Sequence, residues 1–238
     1  MQNRIIQKYS TDPLILFREL ANRYAQFAGE ESVRVRPYKD PALLLFSKLS
    51  GVEQEQAIEF LAEALEVFTE MKQEGLSLRD SSQLLWRSLK RLGMVPEKDI
   101  FDKLTNDHTV EVYSVNNRHL FWNLRFMEIF SLTLEQLICQ PWWELASRPV
   151  EITESFMDII GKIISGETPG TIPIRVPIHV IEEIDSEELL QVEASVKYIS
   201  PLKKNGQVVG GITVAQARIV GSTRNSLSAG ILDYTAAE

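Results

Sequence analysis

The chain of 238 residues contains one cysteine, Cys139, and three histidines, His108, His119 and His179. One thiol excludes a disulfide framework within the chain, and so few imidazoles leave little material for a zinc site or a nucleophilic triad. Neither a His-Glu-x-x-His helix, a phosphate loop ending in Gly-Lys-Ser/Thr nor a Gly-x-Ser-x-Gly elbow occurs. Long apolar runs are missing too. Even the richest windows carry Glu, Arg or Lys every few positions, so no stretch approaches the roughly 20 apolar residues that cross a bilayer. Met1-Gln2-Asn3-Arg4 lacks the apolar block of a signal peptide. These absences predict a cytoplasmic protein with no membrane segment, no metal, no cofactor and no catalytic residues.

What remains is ordinary for a folded chain: 44% hydrophobic and 24% charged residues, enough to bury a core. The length suits one large domain or two modest ones. The net charge of −8 is unevenly spread. Through Val95 there are 13 basic and 13 acidic residues, leaving 12 basic and 20 acidic ones beyond it. An acidic second half repels phosphate backbones and argues against nucleic acid as a partner.

Residues 1–95 have the pattern of a helical bundle. Asp12-Pro13 and Asp40-Pro41 each offer a cap followed by a proline with φ already set. The first opens a helix with Leu16, Phe17, Leu20, Tyr24 and Phe27 on one face and an exit at Gly29. The second predicts a helix through Leu43, Leu44, Phe46 and Leu49, ending at Gly51. A third runs from about Val52 to Gly75, and a fourth, opened by a Ser77/Asp80 capping box, carries Leu85, Leu89 and Leu92 to Gly93. The shared Asp-Pro start at 12 and 40 is not a repeat, because the sequences that follow differ in length and pattern. Arg79, Arg87, Lys90 and Arg91 make the fourth helix the candidate for a recognition helix, although they fall on the polar side of an amphipathic stripe.

Beyond Pro96 the texture changes, which places a boundary near residue 95. A short helix takes in Ile100, Phe101 and Leu104. Thr109–Val115 and His119–Trp122 read as a strand pair around Asn116-Asn117, and Asn123 caps a helix over 124–130. Thr133 caps another short helix. A longer helix from about Thr153 carries Phe156, Ile159, Ile160, Ile163 and Ile164. Thr171–Ile181 alternates, with Ile172, Ile174, Val176, Ile178 and Val180 on one face and Pro173, Arg175, Pro177 and His179 on the other. Two prolines of equal parity leave donors missing along one edge only, so this strand belongs at the rim of the sheet. Leu189–Ser200 and Gln207–Ala217 pair through Asn205-Gly206. The predicted fold class is α+β: an N-terminal all-α helical bundle, then a five-stranded antiparallel sheet with flanking short helices.

The second half resembles the PAS domain family over about residues 97–220. The run from Phe121-Trp122-Asn123 to Phe126, with the turn before Leu134-Glu135-Gln136-Leu137, is similar to the family's strand ending at Asn and its acidic helix. Pro141-Trp142-Trp143 is similar to a tryptophan pair of some PAS subfamilies, and Ser200-Pro201 through Gly210-Gly211-Ile212 is similar to the last PAS hairpin. The resemblance implies a sensor or protein-interaction module. Flavin photosensors of the family carry a cysteine where this chain has Trp142, three residues after Cys139, and haem-binding members usually have a histidine on the long helix, where Thr153–Ser165 has none. Ala217-Arg218-Ile219-Val220-Gly221 stands where many members have Asp-Ile-Thr before an output domain. Nothing in residues 1–95 resembles a known family.

The resulting expectation is a non-catalytic signal-transduction protein with a bundle at 1–95, a PAS-like sensor at 96–220 and a flexible tail at 221–238. Its alternatives are a DNA-binding transcriptional regulator with a PAS-like sensing domain, and an enzyme of unknown reaction. Phe126, Ile129, Trp142, Phe156, Ile160, Ile174, Val176, Val196 and Tyr198 are expected to line the space between sheet and short helices, as a filled core or as a small-ligand pocket. Expected partners are a second copy in a homodimer, a signalling protein and an unidentified small ligand. Candidate dimer surfaces are the N-terminal helices, the helix before the sheet and the outer face of the sheet. The histidines read as surface or turn residues, and the acids between Glu182 and Glu188 as a solvated loop.

Overall fold

The computed structural model describes residues 12–116, 118–168 and 170–223. Helix α1 (Pro13–Glu30) is opened by Asp12, whose Oδ1 accepts from the Leu14 N–H at 2.9 Å, and it buries Leu16, Phe17, Leu20, Ala21, Tyr24 and Ala28. Helix α2 (Gly51–Gln73) begins at a Ser50/Glu53 capping box and lays Ile58, Leu61, Leu65, Phe68 and Met71 against α1. Helix α3 (Ser81–Arg91) buries Leu84, Leu85 and Leu89.

Several helix expectations are corrected. Asp80 caps α3 through the Gln83 N–H, while Ser77 accepts from Arg79 outside the helix. Gly29 lies within α1, and Ser32 takes the left-handed φ of 61° beyond it. The helix predicted after Pro41 does not form. Leu43 has φ 52°, and only a 3-10 turn, Phe46–Lys48, follows. Its free amides are satisfied from elsewhere: Glu135 Oε1 accepts from Leu45 N–H at 2.8 Å and Phe46 N–H at 3.1 Å. With those donors taken and Leu43 and Phe46 drawn fully into the core, the chain gains nothing from a regular turn.

Strand β1 (Val95–Pro96) and a 3-10 segment, Lys98–Lys103, lead into β2 (Thr109–Ser114) and β3 (His119–Trp122). Three short helices follow: α4 (Leu124–Ile129), α5 (Leu134–Cys139) and α6 (Trp142–Leu145). Asn123 caps α4 through Phe126 N–H at 3.1 Å, and Thr133 with Gln136 forms a capping box for α5. After β4 (Ala146–Ser147) come α7 (Val150–Ile164), β5 (Ile172–Pro173), β6 (His179–Glu183), β7 (Leu190–Lys204) and β8 (Gln207–Ser222). The β7–β8 turn places Asn205 at φ 52° and Gly206 at φ 80°, the positive pair that a two-residue hairpin requires.

The sheet is antiparallel in the order β3-β2-β8-β7-β6-β4, and β7 also meets β5 and β1. One long side of β7 is therefore covered by β8, while β6, β5 and β1 take successive stretches of the other. The sheet has eight strands rather than the expected five, the additions being two-residue pieces at its margin. The strand predicted over 171–181 is split at 174–178, and its rim position is kept: β5 has only β7 beside it, and β6 carries only β4 outside it. The break resets the alternation. Ile178 is exposed and His179 is buried, the reverse of the expected faces.

Alternation along β2 and β8 gives the sheet two unlike sides. Val110, Val112, Ile212 and Val214 join α1, α2 and α3 in one apolar core that runs across residue 95. Tyr24 and Phe60 from the bundle meet the Trp122 ring at 6.4 and 5.2 Å. The outer face of the sheet, expected as a dimer surface, is thus covered by the chain's own helices. Strand β8 extends to Ser222, into the segment expected as tail; residues 224–238 lie outside the described residues. Among the described residues no helix is long and apolar enough to cross a membrane.

Candidate functional site

The alternate residues of the same strands face the other way. Thr109, Glu111 and Tyr113 of β2, His119 of β3, and Thr213, Ala215 and Ala217 of β8 form the floor of a cavity of about 100 Å³. The short helices and their connections roof it with Phe126, Phe130, Leu132, Trp142 and Leu145. Helix α7 adds Phe156 and Ile160, β6 adds His179 and Ile181, and β7 adds Ala194, Val196 and Ile199. Arg148, between β4 and α7, enters from the side.

Of the nine residues expected around this space, Phe126, Trp142, Phe156, Ile160 and Val196 line the cavity. The other four lie elsewhere. Ile129 packs with Leu190 and Val192, and Ile174 and Val176 pack in a neighbouring cluster with Ile152, Phe156, Ile163 and Ile199. Tyr198 faces away, its ring 5.6 Å from Lys103 Nζ. The register shift between Val196 and Tyr198 inverts the strand's phase there, and Ile199 takes the inward place.

The polar lining is where sequence reasoning fell short. The Tyr113 hydroxyl donates to Glu111 Oε2, which also lies 3.1 Å from His119 Nε2. Burial, then the Glu111 charge, holds the Tyr113 hydroxyl well above its usual pKa. His179 donates from Nδ1 to the Pro177 carbonyl at 3.0 Å, and burial, with the Arg148 charge adding to it, pulls its pKa down. The Arg148 guanidinium sits 4.6 Å from the Trp142 ring centroid and 5.7 Å from that of Phe156. The split of β2 into Val110/Val112 and Thr109/Glu111/Tyr113 signals two faces in the sequence. Arg148 lies in a connection with no period and gives no signal.

The histidine expectation is corrected: all three are buried. His108 does stand in a turn, where its Nδ1 accepts from the Thr105 N–H at 3.2 Å, and burial lowers its pKa. The acidic loop is corrected in part. Glu183 is 5% exposed and accepts from Ser131 N–H at 2.6 Å, Ser131 Oγ at 2.5 Å, Ser186 Oγ at 2.6 Å and Leu190 N–H at 2.9 Å. That carboxylate ties the β6–β7 connection to the segment after α4, because Oε1 takes one donor and Oε2 three, from both segments. Cys139 is half-buried, and burial raises its thiol pKa. Among the described residues no group of His, Cys, Asp and Glu is arranged to hold a metal. The cavity presents a guanidinium, a carboxylate, two imidazoles and hydroxyls on an aromatic wall.

No protein-family model matches the chain, and no curated protein matches it. Among solved structures it is similar to the PAS domain of a protein from Colwellia psychrerythraea, at 18% identity and a TM-score of 0.34, over 48% of this chain and 86% of that one. It is also similar to the PAS-B domain of Cycle from Drosophila melanogaster, solved with bound ethylene glycol, at 12% identity and a TM-score of 0.33. That match covers 47% of this chain and 99% of the other, and a tryptophan-to-alanine variant with bound glycerol gives the same figures. The PAS-like fold is read from this chain's own order: two strands, three short helices, a longer helix and a closing set of antiparallel strands. Fold and cavity together define an α+β protein with a PAS-like half.

Proposed function

We propose that the protein is a non-catalytic sensor of signal transduction, in which the PAS-like half (96–220) holds a small molecule and the helical bundle (1–95) reads its state. The observation that carries this reading is the back-to-back placement on β2 and β8. Thr109, Glu111, Tyr113, Thr213 and Ala215 line the cavity, and their immediate neighbours Val110, Val112, Ile212 and Val214 belong to the apolar core shared with the bundle helices. A strand displaced by a ligand on one side must repack the other, since close-packed interiors shift between discrete arrangements. The volume suits a ligand far smaller than a flavin or haem.

Filling the cavity tests the coupling. Ala215→Leu occupies part of the space without touching the bundle, and hydrogen exchange of α2 and α3 should change. Unchanged exchange in the bundle, in a variant that is folded, overturns the reading.

For output, α7 presents Val150, Met157 and Ile164 to solvent, and α3 presents Trp86. These surfaces support the homodimer or a signalling partner, and sedimentation of the full chain decides between one copy and two. The DNA-binding alternative loses support at α3. Arg87 pairs with Glu74, Arg91 with Glu63, Glu66 and Glu70, and Arg79, just before the helix, with Glu128, so three of the four candidate cations are already paired.

A further inference from the structure

The cavity contains a guanidinium, Arg148, whose Nε is sealed from solvent and finds no hydrogen-bond acceptor and which forms no ion pair among the described residues. Burial draws the guanidinium below its ordinary pKa, against the pull of Tyr113 and Glu111. Arginine nevertheless stays charged in proteins. Glu111 is the carboxylate in the cavity lining, but its Oε2 already takes the Tyr113 hydroxyl and faces His119 Nε2, and it forms no ion-pair contact with Arg148. The Trp142 and Phe156 rings offset part of the cost of burial through their π-faces and satisfy none of the N–H donors. A second group is left open beside it. Because the Pro177 carbonyl can only accept, the His179 proton is on Nδ1, which leaves Nε2 as a buried acceptor with no partner among the described residues.

We propose that the cavity takes a small monocarboxylate of up to about six non-hydrogen atoms, its carboxylate on the Arg148 guanidinium and its hydrocarbon part against Phe126, Phe156 and Ile160. The volume sets a ceiling on size: an apolar cavity of about 150 Å³ holds benzene and its six carbons, and this one, at about 100 Å³, takes no more than that. Recognition is a planar carboxylate meeting a planar donor fork in a low-dielectric site. His179 Nε2 then serves any hydroxyl carried beside the carboxylate. The assignment rests on the reading of the cavity as a ligand site.

Calorimetric titration of the full chain with butyrate, butyramide and 1-butanol separates the two claims, since the three probes share a carbon chain and only the first is anionic. Butyrate should bind at least about tenfold more tightly than butyramide. In Arg148→Met that preference should vanish, while the thermal midpoint stays or rises because an unpaired buried charge has gone. Equal binding of butyrate and butyramide by the wild-type chain overturns the carboxylate assignment and leaves the ligand site standing. Binding of none of the three up to about 10 mM overturns both. The wild-type comparison decides the matter even if Arg148→Met does not fold.

Discussion

The Glu135 carboxylate, on a short helix of the PAS-like half, accepts hydrogen bonds from the backbone of Phe46, 89 positions earlier, and of the adjacent Leu45. Glu135 is 2% exposed, and its carboxylate meets those two amides in place of water. Glu135→Ala should lower stability by about 3 kcal/mol, since two charge-assisted bonds are lost and two buried N–H groups are orphaned. Glu135→Gln keeps one acceptor and should lose about half as much. Urea unfolding followed by circular dichroism measures both. A cost under about 0.5 kcal/mol for Glu135→Ala would show that this contact does not hold the 40–49 segment in place.

A second test concerns the ladder that separates cavity from bundle. Gly210 faces Ser114 across β2 and β8, and a methyl group placed on it would lie 2.1 Å from the Tyr113 carbonyl oxygen. Backbone cannot give way as a flexible side chain does. Gly210→Ala should therefore cost about 2 kcal/mol or more and disturb Tyr113, which borders the cavity. Gly206→Ala, in the open hairpin turn, meets no neighbour within 4 Å and should show only the strain of its positive φ, about 1 kcal/mol.

Arg91 joins Glu63, Glu66 and Glu70, three carboxylates on one side of α2. Without it they repel one another at helical spacings of three and four. Arg91→Gln should destabilise the protein by about 1 kcal/mol at low salt, and the difference should shrink as ionic strength rises. A loss independent of salt would assign the effect to packing of the arginine stem instead.

Much of this architecture is legible in the chain because period and caps are local. Asp12, Asn123, Thr133 and Asn205-Gly206 act where the sequence places them, and each needs only its near neighbours. What escaped depends on distant groups. Residues 41–49 have helical spacing, but Glu135 takes their donors from about 90 positions away. Counting twos puts Tyr198 inward, and one irregularity in a strand of 15 residues turns it outward. His179 faces inward for the same reason, because 174–178 leave the ladder and the phase restarts. Apolar cavity residues such as Phe126 and Phe156 announce themselves by spacing. The polar ones, Arg148 above all, are defined by what surrounds them in space.

Acid sensitivity follows from the buried imidazoles. His179 and His108 both have depressed pKa values in the fold, chiefly through burial, whereas the unfolded chain titrates near the ordinary value of about 6.5. Above that pH both states are neutral and stability is fully present. As pH falls below about 6.5 the unfolded chain takes up protons first, so stability declines until the folded-state pKa values are passed. His179→Gln removes one proton from this linkage and should flatten the decline, with His108 still contributing. Unfolding free energies of the wild-type chain and the variant at pH 7.5, 6.0 and 5.0 measure the effect. Parallel curves across that range would mean that His179 gains its proton equally in both states, and the burial that walls its side of the cavity would then be absent in solution.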